Sequence, residues 1–158
     1  MERRDFVVGV AVSAAIAGCS KTASLPVETD PAGPTSALDA LLAPWTGSYG
    51  STPRFDLVKV ESFKPALLQG MDLIRAEMQK ITDSSEAATF ANTIEAFGDS
   101  GRALNRGMSV FGVYTSNLND KQAQALESEM SPLLAAFDDE IIQNSKLFQR
   151  IKAVQTDS

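Results

Sequence analysis

Histidine is absent from the chain, and cysteine occurs once, at Cys19. Without imidazole there can be no Ser-His-Asp triad, no Cys-His pair, no imidazole general base and no histidine-ligated zinc. A single thiol also excludes an intramolecular disulfide. These absences leave carboxylates as the only abundant side chains from which a catalytic or metal site could be built.

Positive charge is also in short supply. The chain has 14 Lys and Arg against 20 Asp and Glu, which gives a net charge of −6. Nucleic-acid binding needs a basic surface to neutralise phosphates, so no nucleic-acid partner is expected. Its 158 residues leave room for one domain, and the apolar content of 44% is ordinary for a soluble globular protein.

The carboxylates form no pattern typical of a site. None of them fits a calcium-binding EF-hand loop, and they are typical of solvated helix faces. The stretch TGSYG at 46–50 lacks the lysine and the helix start of a phosphate-binding loop. We therefore assign no catalytic residue, no metal ligand and no cofactor to this chain. The carboxylates considered are Glu95, Asp99, Glu127, Glu129, Asp138, Asp139 and Glu140.

The most specific stretch is the first one, MERRDFVVGVAVSAAIAGCSKT. Its apolar run is too short for a membrane-spanning helix of about 20 residues and fits the core of a signal peptide. The run ends in Ile16, Ala17, Gly18 and Cys19, which resembles a bacterial lipobox. This predicts a signal peptide at 1–18 and lipid attachment at Cys19. The alternative is an ordinary apolar helix with an incidental cysteine.

Arg3 and Arg4, followed by an acidic and an aromatic residue, resemble a twin-arginine export signal, although paired arginines also occur in ordinary signal peptides. The lipobox resemblance implies an exported protein of the cell envelope, held to the membrane by acyl chains. Ser20 follows Cys19, and by resemblance this favours the periplasmic face of the outer membrane over the inner membrane.

Residues 19–43 read as a flexible tether, because they are rich in Ala, Thr, Ser and Pro. A short amphipathic piece around Leu38, Leu41 and Leu42 is expected to begin the ordered region. Residues 44–158 then form the predicted helical domain. It opens with Trp45 and Tyr49 among turn-forming residues, which suits either a docking contact or a stacking platform.

Helical periodicity dominates the rest of the chain and predicts an all-α fold of antiparallel helical hairpins. Four helices are expected at 64–81, 92–114, 120–143 and 146–154, and their apolar stripes predict core packing. Leu147, Phe148, Ile151 and Val154 are expected on the packed side of the last helix.

Several features should shape these helices. Pro65 is expected in a first turn, where a missing N–H is tolerated. Gly101 lies on an apolar stripe, which suggests close approach of another helix. Pro132 should kink its helix or mark a join, and Asn119 with Gln122 resembles a capping box.

Several stretches together carry a family pattern. They are LLAPWTGSYGSTPRFDLVKVESFKPALLQGMDLIRAEMQKI at 41–81, TFANTIE at 89–95, SGRAL at 100–104, SVF at 109–111, QALESEMSP at 124–132 and KLFQRIKAV at 146–154. Each match is weak by itself and the set is specific. They resemble the N-terminal region of the thimet-oligopeptidase family of zinc metallopeptidases, most closely its bacterial peptidyl-dipeptidases.

The resemblance implies an almost wholly helical fold with a deep channel, part of whose wall the N-terminal helices form. It also implies an H-E-x-x-H zinc site elsewhere, which a chain without histidine cannot contain. The opening segment of the helical domain, which carries Trp45 and Tyr49, is therefore expected to wrap against parts outside this chain. An oligopeptide substrate would then bind only together with that catalytic part. Three hypotheses follow: the non-catalytic portion of an exported peptidase, a stand-alone lipid-anchored lipoprotein that binds a peptide or partner, or a non-functional remnant.

Overall fold

The computed structural model of the chain describes residues 36–46, 52–118 and 120–156. No strand occurs in these ranges, and the predicted all-α fold is confirmed. The elements in chain order are α1 (Ala37–Leu42), a 3-10 turn (Phe55–Leu57), α2 (Val60–Thr82), a first π-helix (Phe90–Glu95), α3 (Ala96–Asp99), α4 (Arg102–Val113), a second π-helix (Tyr114–Leu118), α5 (Lys121–Ile142) and α6 (Ser145–Thr156).

Helices α2 and α4 run antiparallel and in close contact. Gly70 of α2 faces Leu104 of α4, and one turn earlier on α2 Leu67 faces Gly107, further along α4. A Cβ atom placed on Gly70 would lie 2.9 Å from Leu104 Cδ1. Glycine at this crossing lets the two backbones approach more closely than any other residue would allow.

Helix α5 packs on the same helix α2 but runs parallel to it. Lys64 of α2 pairs with Glu129 of α5, and Arg75 pairs with Glu140, so both pairs join residues 65 apart in sequence. An offset that stays constant along both helices requires them to run in the same direction. Sequential long helices are therefore antiparallel, as predicted, and α2 and α5 are neighbours in an up-down-up arrangement.

The core lies where these three helices meet α1. The predicted stripe of α2 is confirmed, since Leu67, Met71, Met78 and Ile81 are buried and Ile74 is partly buried. A smaller cluster joins the end of α2 to α6. The buried apolar residues of the main cluster are Ala40, Leu41, Leu42, Val58, Phe63, Ala66, Leu67, Met71, Leu104, Val110, Phe111, Leu126, Met130 and Phe137.

Helix α1 is an integral part of that core. Ser36 caps its start by accepting a hydrogen bond from the Asp39 N–H at 3.1 Å. Arg106 of α4 donates its Nε–H to the Leu42 carbonyl oxygen at 3.0 Å, which satisfies an otherwise unpaired carbonyl at the helix end. The ordered piece expected around Leu38 is thus α1, and it places helical core ahead of residue 44, within the segment predicted as tether.

The opening segment docks on this chain itself. Trp45 packs on the main core cluster, which favours the docking contact over a stacking platform, and Val58 is buried within that cluster. Tyr114 donates its hydroxyl to the Val58 carbonyl oxygen at 2.9 Å and meets the Phe63 ring edge-on. Part of the segment that was expected to wrap against parts outside this chain therefore packs on this chain itself. Tyr49 lies outside the described residues.

The helix predicted at 92–114 is interrupted. Gly101 stands between α3 and α4 with φ 78, the left-handed region that glycine adopts without strain. Its N–H donates to Glu77 Oε2 at 2.8 Å, and a Cβ atom there would lie 3.0 Å from Ile74 Cδ1. The expectation of a continuous helix is therefore wrong. A larger side chain at position 101 would be crowded by Ile74, but the place where two helices cross at close distance is Gly70.

Other helix ends also differ from prediction. Helix α2 begins at Val60, which places Pro65 beyond the first turn, and α5 continues through Pro132 without a break. Asp120 caps α5 by accepting the Ala123 N–H at 2.8 Å, whereas Asn119, the first residue of the predicted capping box, lies outside the described residues. On α6 the predicted packed side is only partly right, because Phe148 points outward.

Candidate interaction surface

The predicted export and lipidation residues all precede residue 36 and lie outside the described residues; they are Arg3, Arg4, Ile16, Ala17, Gly18 and Cys19. Their roles stay predictions. Within the described ranges, none of the helices combines the length and hydropathy needed to cross a membrane.

Two of the family-like stretches meet in space around Asn92. The Thr89 side chain accepts the Asn92 N–H, while Asn92 Oδ1 accepts the Thr89 N–H at 2.8 Å, which forms a capping box at the first π-helix. Asn92 Nδ2 also donates to the Ala87 carbonyl oxygen at 2.9 Å, and buried Thr93 donates its hydroxyl to Asn92 Oδ1. One side chain thus fixes the loop, the cap and the start of the π-helix.

Arg150 of α6 completes this arrangement. Its guanidinium donates to the carbonyl oxygens of Ser84 and Glu86 at 3.2 and 3.1 Å and to Asn92 Oδ1 at 3.1 Å. It therefore ties α6 to the loop after α2 and to the first π-helix. We call Asn92 and Arg150 the clip. Sequence reasoning included both residues in separate motifs, but nothing in the sequence indicated that they bond each other.

A groove of about 310 Å³ opens between the 97–105 segment and the second half of α5. Its floor is apolar, since Leu104 and Phe137 are buried, and Phe97 and Ile142 stand at its edges. Ile142 keeps 80% of its surface exposed, the largest fraction among the large apolar residues described. Burying such a side chain is favourable by about 1.5–3 kcal/mol, so the groove is suited to an apolar partner.

The rim of the groove carries one unpaired acidic side chain. Asp138 lines the groove, and its carboxylate has no hydrogen-bond or ion-pair partner in the described part of the chain. The nearby Asp99 is paired with Arg102 and contributes little net charge. The groove therefore combines an apolar floor with unneutralised negative charge at one edge.

A polar belt closes the α2–α5 contact beside the groove. Arg75 donates to both carboxylate oxygens of Glu140, at 3.0 and 2.7 Å, and lies 5.0 Å from the centre of the Phe137 ring. This hydrogen bonding holds the pKa of Glu140 below its usual range. The hydrogen bond from Lys146 lowers the pKa of Asp83 in the same way. Both carboxylates are thus committed to ion pairs between helices.

The residues present do not fit a zinc ion. Zinc in peptidases is held by histidine nitrogens and a carboxylate, and this chain has no histidine. In the described ranges no three side chains of the Cys, Asp and Glu types are grouped as a metal site would need. The carboxylates considered from the sequence are all exposed. Glu95 lies in the first π-helix and Asp99 in α3, where one continuous helix was expected.

Comparison with known proteins supports the peptidyl-dipeptidase resemblance. No protein-family model matches the chain. The dipeptidyl carboxypeptidase of Salmonella typhimurium is 37% identical over 102 residues, and that of Escherichia coli is 35% identical over the same length. Each match covers 65% of this chain, and the chain spans about 15% of the length of these relatives. The chain is thus homologous to dipeptidyl carboxypeptidases over that stretch.

Proposed function

We propose that this chain supplies the N-terminal, non-catalytic helical portion of an exported zinc metallopeptidase of the peptidyl-dipeptidase type. In this role its helices form part of the wall of the substrate channel. The observation that carries the proposal is the 37% identity to a dipeptidyl carboxypeptidase, in a chain that has no histidine with which to hold zinc.

The chain's own residues contribute rigidity to that role. The glycine crossing at Gly70 and the Arg75–Glu140 pair fix three helices against one another, and the clip fixes α6 at their end. A channel wall limits substrate size only if it does not yield, and close packing of this kind resists deformation. Zinc, held by another part of the peptidase, would supply the activation of water.

A chimaera tests the proposal. The segment of the Escherichia coli dipeptidyl carboxypeptidase that matches this chain is replaced by the corresponding segment of this chain. We expect the chimaera to release C-terminal dipeptides from a short peptide at a rate within about tenfold of the parent enzyme, since 35% identity preserves the packing pattern. The activity should disappear on treatment with a zinc chelator.

The matched control is the parent enzyme with the same segment deleted, which should be inactive. A chimaera that is folded by circular dichroism but inactive would overturn the proposal. The isolated chain should show neither turnover nor tight zinc binding. Turnover or tight zinc binding by the isolated chain would also overturn the proposal. Binding of short peptides by the isolated chain, without turnover, would favour the alternative of a stand-alone binding lipoprotein.

We further propose that the chain is exported and lipid-anchored through Cys19 in the cell envelope. The support is the lipobox-like run that ends at Gly18 and the charged pair Arg3 and Arg4 before it. The full chain expressed in a Gram-negative bacterium should incorporate radiolabelled palmitate and fractionate with outer membranes. The Cys19→Ala variant should lose the label, and label that survives this substitution would refute the anchor.

A further inference from the structure

We propose that the groove between the 97–105 segment and α5 docks a helix or loop of the peptidase's catalytic polypeptide, one that presents large apolar side chains flanked by Lys or Arg. This inference rests on the proposed function and deepens it, because it names the surface by which the non-catalytic helices join the rest of the enzyme. The groove is defined by Phe97, Leu104, Phe137, Asp138 and Ile142.

The apolar character of the occupant follows from exposure. Ile142 is 80% exposed and Phe97 is 36% exposed, and both border a floor formed by buried Leu104 and Phe137. Apolar side chains grouped at one groove are a better indication of an interaction site than apolar residues exposed singly. Ser100, which also lines the groove, already donates its hydroxyl to the Phe97 carbonyl oxygen at 2.7 Å.

The charge of the occupant follows from the rim. Asp138 has no partner in the described ranges, so its carboxylate can pair with a cation on an incoming segment. Complementary charge at the edge of an apolar contact fixes its orientation and disfavours other partners. An apolar segment edged by Lys or Arg satisfies both the floor and the rim, whereas an acidic segment would be repelled.

The source of the occupant follows from the comparison. In the two dipeptidyl carboxypeptidases the matching segment amounts to 15% of the protein, so most of each relative is polypeptide that this chain does not contain. That polypeptide is available to cover the groove in the relatives. A second copy of this chain docked groove to groove fits less well, because it would bring a second Asp138 to the contact.

Thiol labelling tests the docking directly. Ile142→Cys is made in the isolated chain, with Cys19→Ser to remove the native thiol, and in the chimaera described above. The rate of maleimide labelling at position 142 is read by mass spectrometry of the labelled peptide. We expect labelling in the chimaera to be at least tenfold slower than in the isolated chain. Leu133→Cys, an exposed position on the same helix but outside the groove, should label at similar rates in both.

A second variant measures what the contact contributes. In the chimaera, Ile142→Asp should lower the rate of peptide hydrolysis at least tenfold, because a carboxylate would be buried against apolar atoms and beside Asp138. Leu133→Asp should change the rate less than twofold. The isolated chain carrying Ile142→Asp should keep its unfolding midpoint, since position 142 is exposed there.

The possible results separate this inference from the proposed function. An active chimaera in which position 142 labels as fast as in the isolated chain would refute the groove contact and leave the proposed function standing. A folded but inactive chimaera in which position 142 is protected would support the groove contact and refute the proposed function. Equal protection of position 142 in concentrated isolated chain would show self-association and would refute the catalytic polypeptide as the occupant.

Discussion

The contact between α2 and α4 at Gly70 can be tested with a single methyl group. In the Gly70→Ala variant the new Cβ atom would lie 2.9 Å from Leu104 Cδ1 and 3.1 Å from the Leu104 Cα atom. The Cδ1 atom can move by rotation of the side chain. The Cα atom belongs to the α4 backbone, so the two helices must separate by a few tenths of an ångström.

Two effects of opposite sign decide the outcome. Alanine is favoured over glycine inside a helix by about 1 kcal/mol. Overpacking at a close contact typically costs about 1–3 kcal/mol, and here it involves backbone and cannot be relieved by a rotamer change alone. We therefore expect Gly70→Ala to lower the free energy of unfolding by about 1 kcal/mol.

Gly112 provides the matched control. It lies in α4, and a Cβ atom there would meet nothing within 4 Å. Gly112→Ala should therefore keep the propensity gain and raise the free energy of unfolding by about 0.5–1 kcal/mol. Gly107→Ala should fall between the two variants, because its Cβ would lie 3.4 Å from Leu67 Cδ2, at the edge of ordinary contact.

The assay is urea unfolding of the full chain at pH 7, followed by far-ultraviolet circular dichroism, with the denaturant slope compared among the variants. The urea concentration at the unfolding midpoint should be highest for Gly112→Ala, intermediate for wild type and lowest for Gly70→Ala. If Gly70→Ala were as stabilising as Gly112→Ala, α2 and α4 would not be in contact at this position, and the antiparallel packing derived from it would be refuted.

Three further predictions concern single side chains. Gly101→Ala should destabilise the chain by about 1–2 kcal/mol in the same assay, because its backbone is left-handed, and an unchanged midpoint would contradict that conformation. Asn92→Ala should cost about 1–3 kcal/mol by leaving its partners unpaired, and hydrogen exchange of the 84–92 loop should accelerate; unchanged exchange would contradict the clip. Arg75 holds the folded-state pKa of Glu140 below its unfolded value, so the pair stabilises the chain above about pH 4.3 and this contribution is lost as the pH falls through the lower, folded-state pKa. Glu140→Gln should therefore cost at most about 0.5–1 kcal/mol at pH 7, because both side chains are partly exposed, and its difference from wild type should vanish near pH 2; a difference that persists there would refute the ion pair.

The sequence alone predicted the helical class because apolar residues recur at helical spacing over long segments. That spacing fixed which side of α2 is buried, from Leu67 to Ile81, since only one face of a helix can meet the core. It could not place the interruption at Gly101. A glycine on an apolar stripe has the same appearance in the sequence whether it admits a neighbouring helix or turns the chain. Only the left-handed backbone of Gly101 and its contact with Glu77 distinguish the two.

Proline positions misled for a related reason. Pro132 was expected to kink its helix or mark a join, and no join occurs there, because α5 passes through it as one element. Tertiary packing of Met130 and Phe137 on either side outweighs one missing hydrogen bond. Phe148 shows the opposite limit, because a short helix offers several adjacent apolar residues and the sequence does not say which of them meets a partner.

The sequence by itself determined that this chain lacks the histidines of a peptidase zinc site, and its motifs indicate a relationship to peptidyl-dipeptidases. Only the tertiary structure decided which residues act together. It brought Asn92 to Arg150 across an interval of 58 residues, and it placed Phe97 and Ile142 at the same groove. Local periodicity fixes the face of each helix, but the register between helices depends on contacts distant in sequence, such as that of Gly70 with Leu104.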